Sequence, residues 1–251
     1  MRGMPDPGGN MGLFEREGVQ IYYEEWGQGF PVFIIAPGGM RSAIERWAMA
    51  PWNPIKQLAG QYRVIAMDQR NAGRSRAPVT GRDGWHVYTS DQLALLDHLG
   101  VDRFHYLGMC IGGTYGMGLI KAAPARVVSA VLLQPIGLDG NREAFHELFD
   151  GWAEELRSTS HASVADEEWT SFRTNLYGGD FIFGVSRSSV ASCPTPLLVF
   201  AGHDRYHPVS ISRELTALAP QAELVEQWKE GDAVEMVKQR IARFFGDHDP
   251  Q

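Results

Sequence analysis

Seven short runs rich in β-branched and aromatic residues punctuate the chain, at 19–26, 31–36, 62–67, 103–108, 128–134, 196–201 and 222–228. Most are almost wholly apolar, the pattern of strands covered by helices on both faces in a mainly parallel sheet. The first turns through Gly27-Gln28-Gly29 into the second, which reads as an antiparallel hairpin at the sheet edge. Apolar residues at helical spacing occupy 41–59 (interrupted by Pro51 and Pro54), 89–99, 112–122, 210–217 and 233–245. Strand and helix alternate, so right-handed crossovers are expected, with a ligand site at the carboxyl ends of the strands.

One interval breaks the rhythm. From 139 to 193 no strand-like run occurs, while Phe145, Phe149, Trp152, Trp169, Phe172 and Tyr177 recur at roughly helical spacing. It reads as a helical lid, residues 139–193, inserted into a core made of 1–138 and 194–251. Its aromatics either fill the seam against the sheet or line a pocket, and Trp152 is a candidate substrate contact.

Length and composition narrow the class. A chain of 251 residues, 44% apolar and 21% charged, suits one large α/β domain with a substantial core. The net charge of −7, with Lys and Arg scattered, argues against a nucleic-acid partner. The Gly- and Pro-rich stretch 1–12 lacks an apolar core, and no later run is long enough to cross a bilayer, so a cytoplasmic protein without a membrane partner is expected. Cys110 and Cys193 offer neither a disulfide framework nor metal-ligand spacing. Both are expected as thiols, with no metal and no redox or nucleotide cofactor; a monomer and a homodimer are equally open.

The run 106–114, Tyr-Leu-Gly-Met-Cys-Ile-Gly-Gly-Thr, carries an apolar strand into glycines and then a helix. Gly108 and Gly112, two residues either side of Cys110, remove side chains where strand and helix pinch together, and a strained turn lifts the residue between them into a pocket. Ala36-Pro37-Gly38-Gly39-Met40 follows the second run, Asp68-Gln69-Arg70-Asn71-Ala72-Gly73-Arg74-Ser75 follows the third, and Gly202-His203-Asp204 closes the sixth. With these motifs in this order, the chain from 18 to 245 resembles the α/β-hydrolase superfamily, and its elbow cysteine resembles that of the dienelactone hydrolases. The resemblance implies an α/β-hydrolase fold: a mainly parallel eight-stranded sheet flanked by helices, with the small helical lid after strand 6. It also implies Cys110 as nucleophile, Asp204 as acid, and the backbone N–H of Ile111 with that of Gly39 or Met40 as oxyanion hole. The helix beginning after Cys110 favours a thiolate there. The alternative is a small elbow residue in a protein that has lost catalysis.

The family usually carries its histidine after the eighth strand, but the segment 225–233 contains none. His207, three residues beyond Asp204 on a pocket-edge loop, is the leading replacement base, and His86, before the second core helix, is next. His98, His105, His146 and His161 read as surface or packing groups, and His248 lies in a charged tail. Arg41 could bind a substrate carboxylate or form a surface salt link. Trp228, near the place of the absent histidine, is a candidate substrate contact or a strand-end packing group.

These features together predict a hydrolase of a small ester, thioester or lactone, acting through a Cys110 acyl-thioester with a small-molecule substrate. The absent histidine keeps a second class open: ligand binding, or acyl-transfer, lyase or cyclase chemistry with no water step.

Overall fold

The computed structural model describes residues 9–229 and 233–250. Residues 1–8 of the N-terminal stretch, and Glu230, Gly231 and Asp232 of the segment searched for a histidine, lie outside the described residues. Eight strands form one sheet: β1 (Asn10–Arg16), β2 (Val19–Trp26), β3 (Pro31–Ile35), β4 (Arg63–Met67), β5 (Phe104–Met109), β6 (Val127–Leu133), β7 (Leu197–Phe200) and β8 (Ala222–Val225). Their spatial order is β1-β2-β4-β3-β5-β6-β7-β8. β1, β2 and β4 run antiparallel in succession, and every pairing from β4 across to β8 is parallel.

The edge hairpin differs from the expected one. β2 pairs with β1 and β4 rather than β3, and the two-residue turn Glu17-Gly18, with φ of 50° and 80°, joins Arg16 to Val19 in register. β1 escaped the hydrophobic pattern because it is a half-exposed edge strand, with Met11 and Leu13 facing solvent.

Period-two alternation sorts the central strands into two cores. On β3, Phe33 and Ile35 face one layer while Val32 and Ile34 face the other, and β4, β5, β6 and β7 divide the same way. The second layer is covered by α1 (Pro54–Leu58) and α8 (Ala233–Asp247), which bury Ile55, Leu58, Val237, Ile241 and Phe245. The first is covered by α2 (Trp85–His98), α3 (Ile111–Ala122) and, beyond β7, α7 (Val209–Leu218). The helix expected over 41–59 shrinks to α1. Pro54 cannot continue a helix from upstream but suits a first turn, and Asn53 caps that turn by accepting from the Ile55 N–H at 3.0 Å.

Between β6 and β7 the chain makes three helices and no strand: α4 (Arg142–Arg157), α5 (Asp166–Tyr177) and α6 (Arg187–Ala191). Their apolar faces join the first core layer, so this excursion lies on the side of α2 and α3, toward the carboxyl ends of the strands. Among the described residues, no helix is long and apolar enough to cross a membrane.

Candidate active site

Three strand ends converge. β5 ends at Cys110, which adopts φ 62° and ψ −118°, a conformation costing ~1–3 kcal/mol in a residue with a side chain. The surroundings enforce it: the Cys110 N–H donates to the Leu133 carbonyl at 2.9 Å, and its own carbonyl accepts from the Gly113 and Ile136 N–H groups at 3.0 and 3.3 Å. Only glycine fits before it, since a Cβ on Gly108 would lie 2.4 Å from the Gly112 oxygen. The turn leaves Cys110 partly exposed and sets it at the start of α3.

β3 ends in the segment 36–44. Gly39–Arg41 forms a single 3-10 turn, and the Gly38 N–H, with that of Ile111, points at the Cys110 sulfur. Gly39 and Met40, which the sequence offered as donors here, are both buried in this turn, Gly39 against Leu148. The Asp68-to-Ser75 motif holds this segment in place. Buried Asp68 accepts from the Ile44 N–H and the Arg74 N–H, each at 2.8 Å, and Ser42 donates its hydroxyl to the Ala36 carbonyl at 2.6 Å.

β7 ends in a loop that doubles back within four residues. Asp204 Oδ1 accepts from the Tyr206 and His207 N–H groups at 3.0 and 3.2 Å, and lies 2.7 Å from His207 Nδ1. Gly202 makes room for the folded-back ring, because a Cβ there would stand 2.2 Å from the His207 Cβ. His207 is buried, its Nε2 has no hydrogen-bond partner, and Cys110 is close enough for the charges of the two groups to act on each other.

The charges of the three groups answer one another. Burial pushes the Cys110 thiol up, but the His207 imidazolium and the two N–H groups outweigh it and hold the thiol below its ordinary value. Burial also opposes the charge on His207, yet the thiolate and Asp204 together raise it to about 9. The hydrogen bond from His207 overcomes burial at Asp204 and brings it down to about 2. The three shifts run in the direction that favours a thiolate, an imidazolium and a carboxylate.

The remaining candidates fall outside this cluster. Arg41 forms a two-pronged bond to Glu155 of α4, at 2.9 and 2.6 Å, on the surface. His86 is exposed and lines a groove of about 530 Å³ between α2 and α3. Trp152 is buried among Phe149, Trp169 and Phe172, donating its N–H to the Asn71 carbonyl at 3.1 Å. Trp228 packs against Trp52 and Phe200 in the second core layer, with its N–H on the Ala201 carbonyl at 2.7 Å. Both indoles serve packing, and Arg41 is committed to a carboxylate of the chain itself. His105, in β5, bridges Ser129 and Asp249 at 2.8 Å each, and Cys193 is a buried thiol 3.5 Å from the Thr195 carbonyl. Tyr177, which the sequence showed only as one aromatic among several, brings a buried hydroxyl near Cys110. Among the described residues, no three His, Cys, Asp or Glu side chains group as a metal site.

The family model described as alpha/beta hydrolase fold matches residues 31–176, more than half of the chain. The chain belongs to the α/β-hydrolase fold family. Among curated relatives, a non-heme haloperoxidase of Rhodococcus erythropolis is 29% identical over 181 residues, covering 67% of this chain and 62% of that protein. A non-heme chloroperoxidase of Streptomyces lividans is 31% identical over 121 residues, 48% of this chain and 42% of the relative. The chain thus spans less than two thirds of the length of these curated relatives. The enol-lactonase of Burkholderia xenovorans shares the fold, with a TM-score of 0.70 at 18% identity, covering 94% of this chain and all of that one.

Proposed function

We propose that this α/β-hydrolase-fold protein hydrolyses a small ester, thioester or lactone through a thioester on Cys110. The observation that carries the reading is the Asp204–His207 pair at 2.7 Å, near enough to Cys110 at the converging strand ends for its charge to act on the imidazole. The thiolate adds to the substrate carbonyl, whose electron pair moves onto oxygen and is held by N–H groups of Ile111 and the 38–40 turn. Collapse expels the alkoxide or thiolate leaving group, which takes the Nε2 proton of His207. Acylation removes the thiolate that had raised His207, so the imidazole is neutral when water arrives and accepts its proton. Hydroxide adds to the thioester, the acid departs, and the ion pair re-forms.

The helices α4 and α5 act as the lid in this reading. Leu148 of α4 lies against Gly39, and the Arg41–Glu155 pair ties the same turn to the same helix. The competing reading, binding or transfer without a water step, drew on the absence of a histidine between β8 and α8, and His207 beside Asp204 favours hydrolysis over it.

Turnover of p-nitrophenyl acetate, followed with mass spectrometry of intact protein, tests the proposal. Release of both products with a transient acetyl adduct on Cys110, lost in Cys110→Ala, supports it. A persistent adduct points to transfer, and neither turnover nor adduct points to binding.

A further inference from the structure

Tyr177 ends α5, and its ring is fixed from three sides: Phe145 stacks on it at 5.3 Å, while Phe183 and Trp85 meet it edge-on at 5.3 and 6.0 Å. The backbone is fixed too, since Arg142 donates to the Tyr177 carbonyl. Inside this frame the side chain is 1% exposed, and its hydroxyl finds one acceptor, the Met40 thioether at 3.5 Å. A thioether is a weak acceptor, so this hydroxyl has given up water for little return, where phenylalanine would fill the same space without that cost.

Where the hydroxyl sits gives it a use. Met40 belongs to the turn whose N–H groups edge the Cys110 site, and the thiolate is close enough for its charge to add to burial in keeping the phenol protonated. We propose that, when an acyl substrate is captured on Cys110, the Tyr177 hydroxyl leaves the Met40 sulfur and donates to the carbonyl oxygen of that substrate, as a third donor beside the backbone N–H groups. No proton is transferred: a neutral phenol strengthens its hydrogen bond as negative charge gathers on that oxygen and relaxes when the carbonyl re-forms. The inference rests on the thioester reading and extends it by a catalytic residue supplied from the helical excursion, so the oxyanion site is complete only with α5 in place.

Two reactions of Cys110 distinguish this role from a structural one. Acylation by p-nitrophenyl acetate passes through an oxyanion, whereas alkylation by iodoacetamide displaces iodide at a saturated carbon and forms none. Tyr177→Phe should slow acylation by ~100–1000-fold, the scale of losing one oxyanion donor. Alkylation should stay within about twofold, with the same dependence on pH. Equal slowing of both reactions would mean that the hydroxyl only supports the fold, and no slowing of either would mean that it touches no oxyanion; each result overturns the inference while leaving Cys110 as nucleophile. If the unsubstituted protein is alkylated but never acylated, the thioester reading fails and this inference fails with it.

Discussion

His207 Nδ1 lies 2.7 Å from the carboxylate of Asp204, only three residues back along the chain, so one tight loop carries both groups proposed as acid and base. In the superfamily pattern these groups come from two different strand ends. The tight turn brings a strong dependence on local geometry, which several variants can expose.

Replacing Gly202 by alanine should be severe for chemistry. The added methyl would sit 2.2 Å from the His207 Cβ and 2.6 Å from its carbonyl oxygen, forcing the ring off the sulfur. We expect ester turnover to fall at least ~100-fold, as for loss of a general base. The alkylation profile should show the thiol pKa moving back up toward ~8.5. An unchanged thiol titration in this variant would show that His207 does not hold the thiolate.

The pH dependence of kcat/KM should be bell-shaped. The acidic limb follows formation of the thiolate, and so lies below the ordinary thiol range, because His207 and the N–H groups hold Cys110 down. The alkaline limb reports loss of the His207 proton, which protects the leaving group, near about 9. Asp204→Asn removes one of the groups that raise His207, so its alkaline limb should move to lower pH; a limb that stays put separates Asp204 from the mechanism.

Stability follows the same charges. His207 holds its proton more tightly in the folded chain, with a pKa of about 9 against ~6.5 unfolded. Its contribution is full below the unfolded value and is lost as pH rises through about 9. Cys110→Ala removes one of the causes of that shift, so the alkaline decline in melting temperature should still set in near the unfolded value but be smaller and end at lower pH in the variant. Thermal melts from pH 6 to 10 on both proteins measure it.

Trp152→Ala should cost ~3–5 kcal/mol, the range for emptying a buried aromatic site, because the indole is wedged among Phe149, Trp169 and Phe172. Arg41→Ala, which cuts a surface pair to Glu155, should cost less than ~1 kcal/mol. Urea unfolding separates the two. A large rise in KM with little loss of stability in either variant would restore that residue as a substrate contact.

Much of the architecture was readable because the central strands are continuously apolar and the elbow glycines are dictated by close backbone approach. Gly108, Cys110, Gly112 and the Asp68 turn stand where the motif order put them. β1 was not readable, since a half-exposed edge strand carries little hydrophobic contrast. Trp228 stayed open between substrate contact and strand-end packing because sequence position cannot say on which side of a sheet a loop residue folds back; its indole lies in the layer under α8. Tyr177 was hidden for a related reason: the spacing of aromatics reveals a buried helix face but not which hydroxyl on it lies near Cys110.

The doubling back of the 202–207 loop has an implication for how this site could be altered or transplanted. Carboxylate and imidazole move as one short cassette, so inheritance of the pair does not require coordinated change at two distant loops. With His207 as the proposed base, the β8–α8 connection carries no catalytic duty and can accept insertions or sequence drift that a scaffold with its histidine there would not survive.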